Sequence, residues 1–285
     1  MYSGFVTSRK AVSSIGIHQK FDTAAYEMIR SYLKEDTFPP LKQILHFEGI
    51  NGPDGLKVKS PGRQEPGHLY NPSTDVGPIP ENILGHYRVL VDALAKEDLV
   101  RAAFEAAWMG HYICDGLTPA HHFPLEEKIA EHSSKVKNPN SSFFKHKVFV
   151  RGEAPRDIFR KGWAIWGGKG LLTTHFNFEM GVVMAMFGTR LRVKLDPAKL
   201  ARARQIGPIE FFKQESRDIA SLHIYETFYE TGWNSRVARL VKHRLSPQTV
   251  HTIGVIWLLA YLEAQQKTAT VKLKSKPAPR VAVRV

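Results

Sequence analysis

The chain has 285 residues, enough for one large domain or two small ones with a substantial buried core. Its 43% hydrophobic and 24% charged residues are typical of a globular protein and exclude a disordered one. The formal net charge of +13 favours anionic partners: nucleic acid, an anionic membrane surface or a phosphorylated substrate. The single cysteine, Cys114, excludes an internal disulfide framework and a cysteine-rich zinc finger.

No secretory leader is visible in the sequence. The first ten residues contain no apolar run of the length that a signal peptide needs. The most apolar run, Ile253 to Leu262, is too short to span a bilayer. These patterns predict a cytoplasmic protein for the sequence as it stands, and a secreted one if a leader precedes it.

Helical periodicity in the first half predicts an all-α fold, built as a single compact multi-helix domain. Apolar residues recur at helical spacing from Ile17 to Leu33. The stretch from Gly49 to Pro80 is rich in Gly, Pro, Asn and Ser, which predicts a long ordered loop, and loops of this length are usually functional. A helix is predicted from Pro80 to Ala95, and Asp98 is the expected N-cap of the next one.

The second half is also predicted to be helical. Helices are expected from near Asp157, from Pro208 to Tyr229 with His223 on it, and from Gln248 to Gln265. Ser246 is the expected N-cap of the last helix, with Pro247 in its first turn. Between Gly162 and Gly168 the sequence predicts a tight aromatic turn, with Trp163 and Trp166 in the core or in a pocket wall.

The domain is predicted to cover residues 1–265, followed by a flexible basic tail over residues 266–285. That tail holds six Lys or Arg, no acid and two prolines. Two further basic segments lie at 190–204 and 236–244. Such segments can contact an anionic membrane surface or nucleic acid, or can serve only for solubility, and the sequence leaves both readings open.

Two short stretches carry the chemistry. In His111-Tyr-Ile-Cys-Asp115 and in His175-Phe-Asn-Phe-Glu179 a histidine precedes a carboxylate by four residues, which places both side chains on one helical face. Imidazole and carboxylate together can bind a divalent metal. Pro119 is expected to end the first helix and let His121 turn back toward the same site. A surface ion pair or a hydrogen-bonded core histidine is the competing interpretation of each stretch.

These residues resemble a known family. The stretch from His111 to His121 resembles the His-x3-Asp-x3-Pro-x-His motif of bacterial zinc-dependent phospholipase C, shared with the fungal zinc nucleases that cut single strands. The family's downstream His-x3-Glu is matched by His175 and Glu179. Its three upstream ligands are matched in order by His18, Asp54 and His68. The resemblance extends from about His18 to Glu179.

The resemblance implies a multinuclear zinc centre. One metal would be held by Asp54, His68, His111 and Asp115. A second would be held by His121, His175 and Glu179. A third would use His18 and a bridging Asp115. In the secreted relatives this third metal also takes the free amine of the processed N-terminal residue. The matching position here lies near Phe5, inside the chain, so two zinc ions are expected and the third is left open.

The resemblance also implies an activity. It predicts a metal-dependent hydrolase of phosphodiester bonds, of the phospholipase C kind, with Asp54 as the residue that orients or deprotonates the attacking water. A single-strand nuclease is the first alternative. A non-catalytic, metal-stabilised module that binds anionic lipid or nucleic acid is the second. No aromatic residue lies between Asp54 and His68, which argues against a preference for choline headgroups.

Overall fold

The computed structural model describes residues 16–59, 67–123, 128 and 155–274. Over these residues the chain is all-α, as predicted, and its only extended pairing is an isolated bridge between Asn71 and Val76. No helix in the described part is long and apolar enough to cross a membrane. In chain order the α-helices are α1 (Ile17–Ile29), α2 (Leu41–His46), α3 (Pro53–Lys59), α4 (Ile79–Ala95), α5 (Leu99–Leu117), α6 (Pro155–Trp166), α7 (Leu171–Met186), α8 (Pro197–Ile206), α9 (Pro208–Ala220), α10 (Ile224–Thr231), α11 (Ser235–Leu240) and α12 (Ser246–Lys274).

The core forms where α12 packs against α1, α4 and α5. Between Val250 and Ala260 almost every residue of α12 is buried, because this part of the helix is apolar on nearly all sides. Trp257 is fully buried, and its Nε1 donates a hydrogen bond to the carbonyl of Ala106 at 3.0 Å. This bond ties α12 to α5, the helix that carries the first metal motif.

Helix α5 begins and ends as its sequence predicts. The Asp98 side chain caps its start by accepting from the Arg101 backbone N–H at 3.0 Å. Its buried alanines let neighbouring helices approach closely. The helix ends at Leu117, and Pro119 opens a 3₁₀ turn, Pro119–His121, that turns the chain back toward the site. Both ends of the segment that holds the motif are therefore set by local sequence.

The predicted loop from Gly49 to Pro80 is partly helical, which corrects that prediction. It contains a 3₁₀ turn, Gly49–Asn51, and the short helix α3, which Pro53 opens and in whose first turn Asp54 lies. Proline is well suited to a first helical position because its missing N–H would have no partner there. Residues 60–66 lie outside the described part of the chain, and the irregular segment from Gly67 leads to α4.

Two helix predictions in the C-terminal half were wrong in detail. The helix expected from Pro208 to Tyr229 is broken by His223, whose φ of 48° ends one helix and begins the next. Ser246 is not an N-cap, since its φ of −64° and ψ of −46° are helical. A π-helical turn, Val241–Leu245, runs directly into α12 because buried Val241 and Leu245 keep that turn on the core.

The final helix is longer than predicted, which moves the start of the tail. Helix α12 continues to Lys274, nine residues past Gln265. Lys267 Nζ lies 3.1 Å from Asp92 Oδ1 on α4, so the first basic residue of the predicted tail contacts the domain. Residues 266–274 are thus helical. The rest of the predicted tail, residues 275–285, lies outside the described residues, and so does Phe5.

The predicted aromatic turn is also corrected. Gly162 to Trp166 form the last part of α6, and only the residues after them turn toward α7. Trp163 and Trp166 were predicted to lie in the core or in a pocket wall, but both are exposed. Ile165 occupies the inward face of α6 instead.

Candidate metal centre

All eight residues that the sequence predicted as metal ligands are brought together in the fold. They come from α1, α3, the segment after residue 67, α5, the 3₁₀ turn that follows it, and α7. Within the described residues, three groups each offer ligand atoms that lie within 4.8 Å of one another. The groups are His18, His111 and Asp115; Asp54, His68 and His111; and His121, His175 and Glu179.

The first group is the most deeply buried. His18 Nε2 lies 3.4 Å from Asp115 Oδ1, and His111 Nε2 lies 3.2 Å from Asp115 Oδ2. The two imidazoles stack with their centroids 4.3 Å apart. The spacing of four residues on α5 places His111 and Asp115 on one face, and α1 brings His18 against that face.

The second group reaches toward solvent. Asp54 Oδ1 lies 4.0 Å from His68 Nδ1 and 3.9 Å from His111 Nε2. The Asp54 side chain is 28% exposed, whereas those of His68 and His111 are buried. His68 Nδ1 is also 2.6 Å from Asp115 Oδ2, so Asp115 and His111 connect the first group to the second.

The third group lies on α7 and on the turn after α5. His121 Nε2 and His175 Nε2 each lie 3.1 Å from Glu179 Oε1. His121 Nδ1 donates to the carbonyl of His68 at 2.6 Å, which leaves its Nε2 as the ligand atom. A distance of 3.7 Å from His121 Nε2 to Asp115 Oδ1 joins this group to the other two.

The donor set suits a divalent metal. Imidazole nitrogen and carboxylate oxygen are zinc ligands, and a buried cluster of such groups needs a positive charge at its centre. Burial raises the pKa of Asp115, but the His121 and His111 imidazoles hold it well below its ordinary value. The pKa of Glu179 is likewise lowered, against burial, by His175 and His121. Both carboxylates are therefore ionised, as ligands must be.

Sequence reasoning missed Glu48, which lies behind two of the ligands. Its side chain is fully buried, and Oε1 accepts from His111 Nδ1 at 2.8 Å and lies 3.8 Å from His18 Nδ1. The second oxygen, Oε2, has no hydrogen-bond partner among the described residues. Carboxylates commonly hold a metal-binding histidine in this way. No spacing pattern in the sequence links Glu48 to either histidine.

Asp22 was missed as well, although a signal for it exists. It follows His18 by four residues and so repeats the spacing of the two recognised motifs. The side chain is buried against Gly110, where an added Cβ would lie 2.7 Å from Oδ1. Burial and the nearby Glu48 carboxylate raise its pKa well above the ordinary value. Burial of Asp22 next to the centre therefore favours its protonated form.

His122 and Cys114 are close to the ligands in sequence but have other roles. His122 Nε2 donates to the carbonyl of Gly116 at 2.9 Å, and burial lowers its pKa to about 4. Cys114 is a free, fully buried thiol and packs as a small core side chain.

Comparisons with protein-family models, with curated proteins and with solved structures find no match to this chain. The resemblance to the phospholipase C and nuclease family therefore stands on the order, spacing and chemistry of the eight residues, and membership of that family stays a prediction.

Proposed function

We propose that the protein is a zinc-dependent hydrolase of phosphodiester bonds, of the phospholipase C kind. The observation that carries the proposal is the convergence of three ligand groups at one site. His111 belongs to two of these groups, and it lies against Asp115. Adjacent sites of this kind suit the clamping of a phosphodiester by more than one metal. Seven of the eight residues are held by helices or by the turn that ends α5, so most of the donors are positioned by secondary structure.

The candidate ligands differ in exposure, and we assign their roles accordingly. His18, His111 and Asp115 are buried and form the floor of the site. Zinc bound by these groups would polarise the phosphodiester and lower the pKa of a bound water. Asp54 faces the accessible side, within 4.0 Å of His68 and His111. It is the carboxylate that can orient the attacking water and accept its proton.

A single-strand nuclease is the second candidate. It uses the same ligands and the same chemistry, and the net charge of +13 favours it because a nucleic acid strand is a polyanion. A third class, a binding module that keeps metal only for stability, requires no turnover at all. The ligand set is common to all three, so substrate assays must separate them.

The first prediction concerns metal content and turnover together. Protein purified without chelator should contain about two zinc ions per chain by elemental analysis. It should hydrolyse an aryl phosphodiester and one of three natural substrates: phosphatidylcholine, an anionic phospholipid or single-stranded DNA. Asp54→Asn should keep most of the metal and lose roughly 100-fold or more of the turnover, because it removes the proton acceptor.

Matched variants sharpen that test. His175→Ala should lower the zinc content, whereas His223→Ala, which changes an exposed histidine away from the three groups, should not. Less than one equivalent of metal after zinc is added back would overturn the proposal. Full zinc content without turnover of any substrate would favour the binding module.

A further inference from the structure

Helix α6 exposes an aromatic stripe. Phe159, Trp163 and Trp166 follow one another at offsets of four and three residues, which places them on one side of the helix. They are 70%, 64% and 48% exposed, and the rings of Phe159 and Trp163 stack with centroids 6.1 Å apart at 22°. Large aromatic side chains in a row on a solvent-facing surface usually mark a binding surface.

The aromatic stripe is exposed although α6 packs against the rest of the protein through its other side. The other side of α6 carries Ile165, which is 1% exposed and packs on Leu69, Phe123, Leu171 and Leu172. This small cluster anchors α6 to α7 and to the segment that follows His68. Helix α6 therefore has an inner apolar residue that packs and an outer aromatic stripe that does not.

Exposed apolar side chains continue along α7. Phe176, Met184 and Phe187 are all exposed. Of the eleven exposed large hydrophobic residues in the described part of the chain, six fall between residues 159 and 187. A scatter of single exposed residues over the whole surface would not produce this concentration.

Cations accompany these apolar side chains in the sequence, and two exposed ones, Arg156 and Arg160, lie on α6 itself. Residues 155–194 hold seven Lys and Arg but only two acids, Asp157 and Glu179, and Glu179 belongs to the metal centre. Six of the cations are exposed: Arg156, Arg160, Lys169, Arg190, Arg192 and Lys194. An amphipathic helix with aromatic residues on one face and basic residues around them is the composition that binds anionic bilayers at the interface.

We propose that the aromatic stripe of α6 is a membrane-docking surface that inserts into the headgroup region of an anionic phospholipid bilayer. Tryptophan and phenylalanine partition into that region, and the surrounding cations gain from the negative surface potential. Single-stranded nucleic acid fits less well. Bases need open ring faces to stack on, and Phe159 and Trp163 cover part of each other's faces.

Docking would bring the bilayer to the helix that holds the third ligand group. A short turn joins α6 to α7, on which His175 and Glu179 lie. Docking itself requires no metal chemistry and can be measured separately from turnover.

The experiment measures binding of the full, zinc-loaded chain to vesicles. Wild-type protein should sediment with vesicles of phosphatidylcholine mixed with phosphatidylserine, less with phosphatidylcholine alone, and less at high salt. The triple variant Phe159→Ala, Trp163→Ala, Trp166→Ala should bind the anionic vesicles about tenfold more weakly or worse, because it loses the inserted apolar area. It should still hydrolyse a soluble aryl phosphodiester.

Two controls keep the test decisive. Tyr32→Ala with Tyr229→Ala removes two exposed aromatic residues outside α6 and should leave vesicle binding unchanged. Trp163→Phe with Trp166→Phe keeps aromatic area, so it should bind like wild type but lose most of the tryptophan quenching by brominated phospholipid. This second variant tests the stripe even if the triple alanine variant fails to fold.

Three results would overturn the proposal. One is vesicle binding by a folded triple variant that equals wild type. Another is unaltered quenching in the double phenylalanine variant. The last is a stripe-dependent affinity for single-stranded oligonucleotides, or for a second copy of the chain, without any for vesicles. Asp54→Asn should bind vesicles normally, so a failure of catalysis and a failure of docking give different outcomes.

Discussion

At the scale of single residues, Glu48 organises more of the centre than its position in the sequence reveals. One carboxylate oxygen accepts from His111 Nδ1 and lies near His18 Nδ1, so both imidazoles direct Nε2 toward Asp115. Although burial lowers the pKa of His111, Glu48 and Asp115 raise it to about 10. The two carboxylates thus favour a protonated His111, and a metal that binds its Nε2 competes with that proton.

Removal of Glu48 should weaken zinc binding without removing a ligand. Glu48→Ala leaves the His111 imidazole without its orienting acceptor and removes the carboxylate beside His18, and we expect zinc affinity to fall by about 10- to 100-fold. Glu48→Gln keeps an acceptor for His111 Nδ1 but removes the charge, so its loss should be smaller. Competition with a chelating dye measures both. Glu27→Gln, at an exposed site on α1, is the control, and unchanged affinity in Glu48→Ala would contradict this role.

At the scale of elements, a buried histidine joins α12 to the start of α8. His251 Nε2 accepts a hydrogen bond from the Asp196 backbone N–H at 3.0 Å, and Asp196 Oδ1 caps α8 by accepting from the Ala198 N–H at 2.9 Å. An acceptor nitrogen has to be unprotonated. Burial, and then the charge of Lys199, lower the pKa of His251 from 6.5 to about 4.

That lowered pKa predicts a loss of stability in acid. The unfolded chain binds a proton at His251 below about pH 6.5, whereas the folded chain resists it until about pH 4. The contribution is thus complete above the first value and is lost as pH falls through this window, by up to about 3 kcal/mol. His251→Gln keeps an acceptor but does not titrate, so its free energy of unfolding should fall less steeply between those pH values.

Chemical denaturation of both proteins in the same buffers measures the difference in slope. His122, which is also buried with a lowered pKa, contributes to the acid sensitivity of both proteins and therefore cancels in the comparison. Parallel pH profiles for wild type and His251→Gln would show that His251 does not carry this part of the acid sensitivity.

At the scale of the whole molecule, the candidate metal centre connects parts of the chain that are far apart in sequence. Its candidate ligands extend from His18 to Glu179 and join α1, α3, α5 and α7 at one place. The carboxylates of Asp115 and Glu179 lie in a buried cluster beside the imidazoles that lower their pKa. Bound metal should therefore stabilise the fold as well as supply chemistry.

Chelation should lower the melting temperature, and added zinc should restore it. A ligand at about 100 times its dissociation constant adds about 2.7 kcal/mol, which corresponds to a shift of roughly 5 °C or more for a chain of this size. Differential scanning calorimetry with and without chelator tests this. The variant His68→Ala with His175→Ala, which loses one ligand from each of two groups, should show a much smaller shift. An equal shift in wild type and variant would mean that the chelator acts elsewhere.

The sequence alone determined the features that depend on neighbours within a few residues. The His-x3-carboxylate spacings place ligand pairs on helical faces, Asp98 caps α5, and Pro119 ends it, because these effects act within one or two turns. The all-α class follows from the same periodicity. The order of the eight candidate ligands is likewise a property of the sequence.

Only the tertiary structure decided which faces meet. Glu48 lies behind His111 because α5 packs on the segment that holds it, and no pattern between residues 63 positions apart encodes that contact. The exposure of Trp163 and Trp166 depends on Ile165 being the residue of α6 that packs inward. The local sequence likewise predicted neither the break at His223 nor the extension of α12 to Lys274. Spacing sets which residues share a face, whereas distant elements that pack against it decide whether that face is buried.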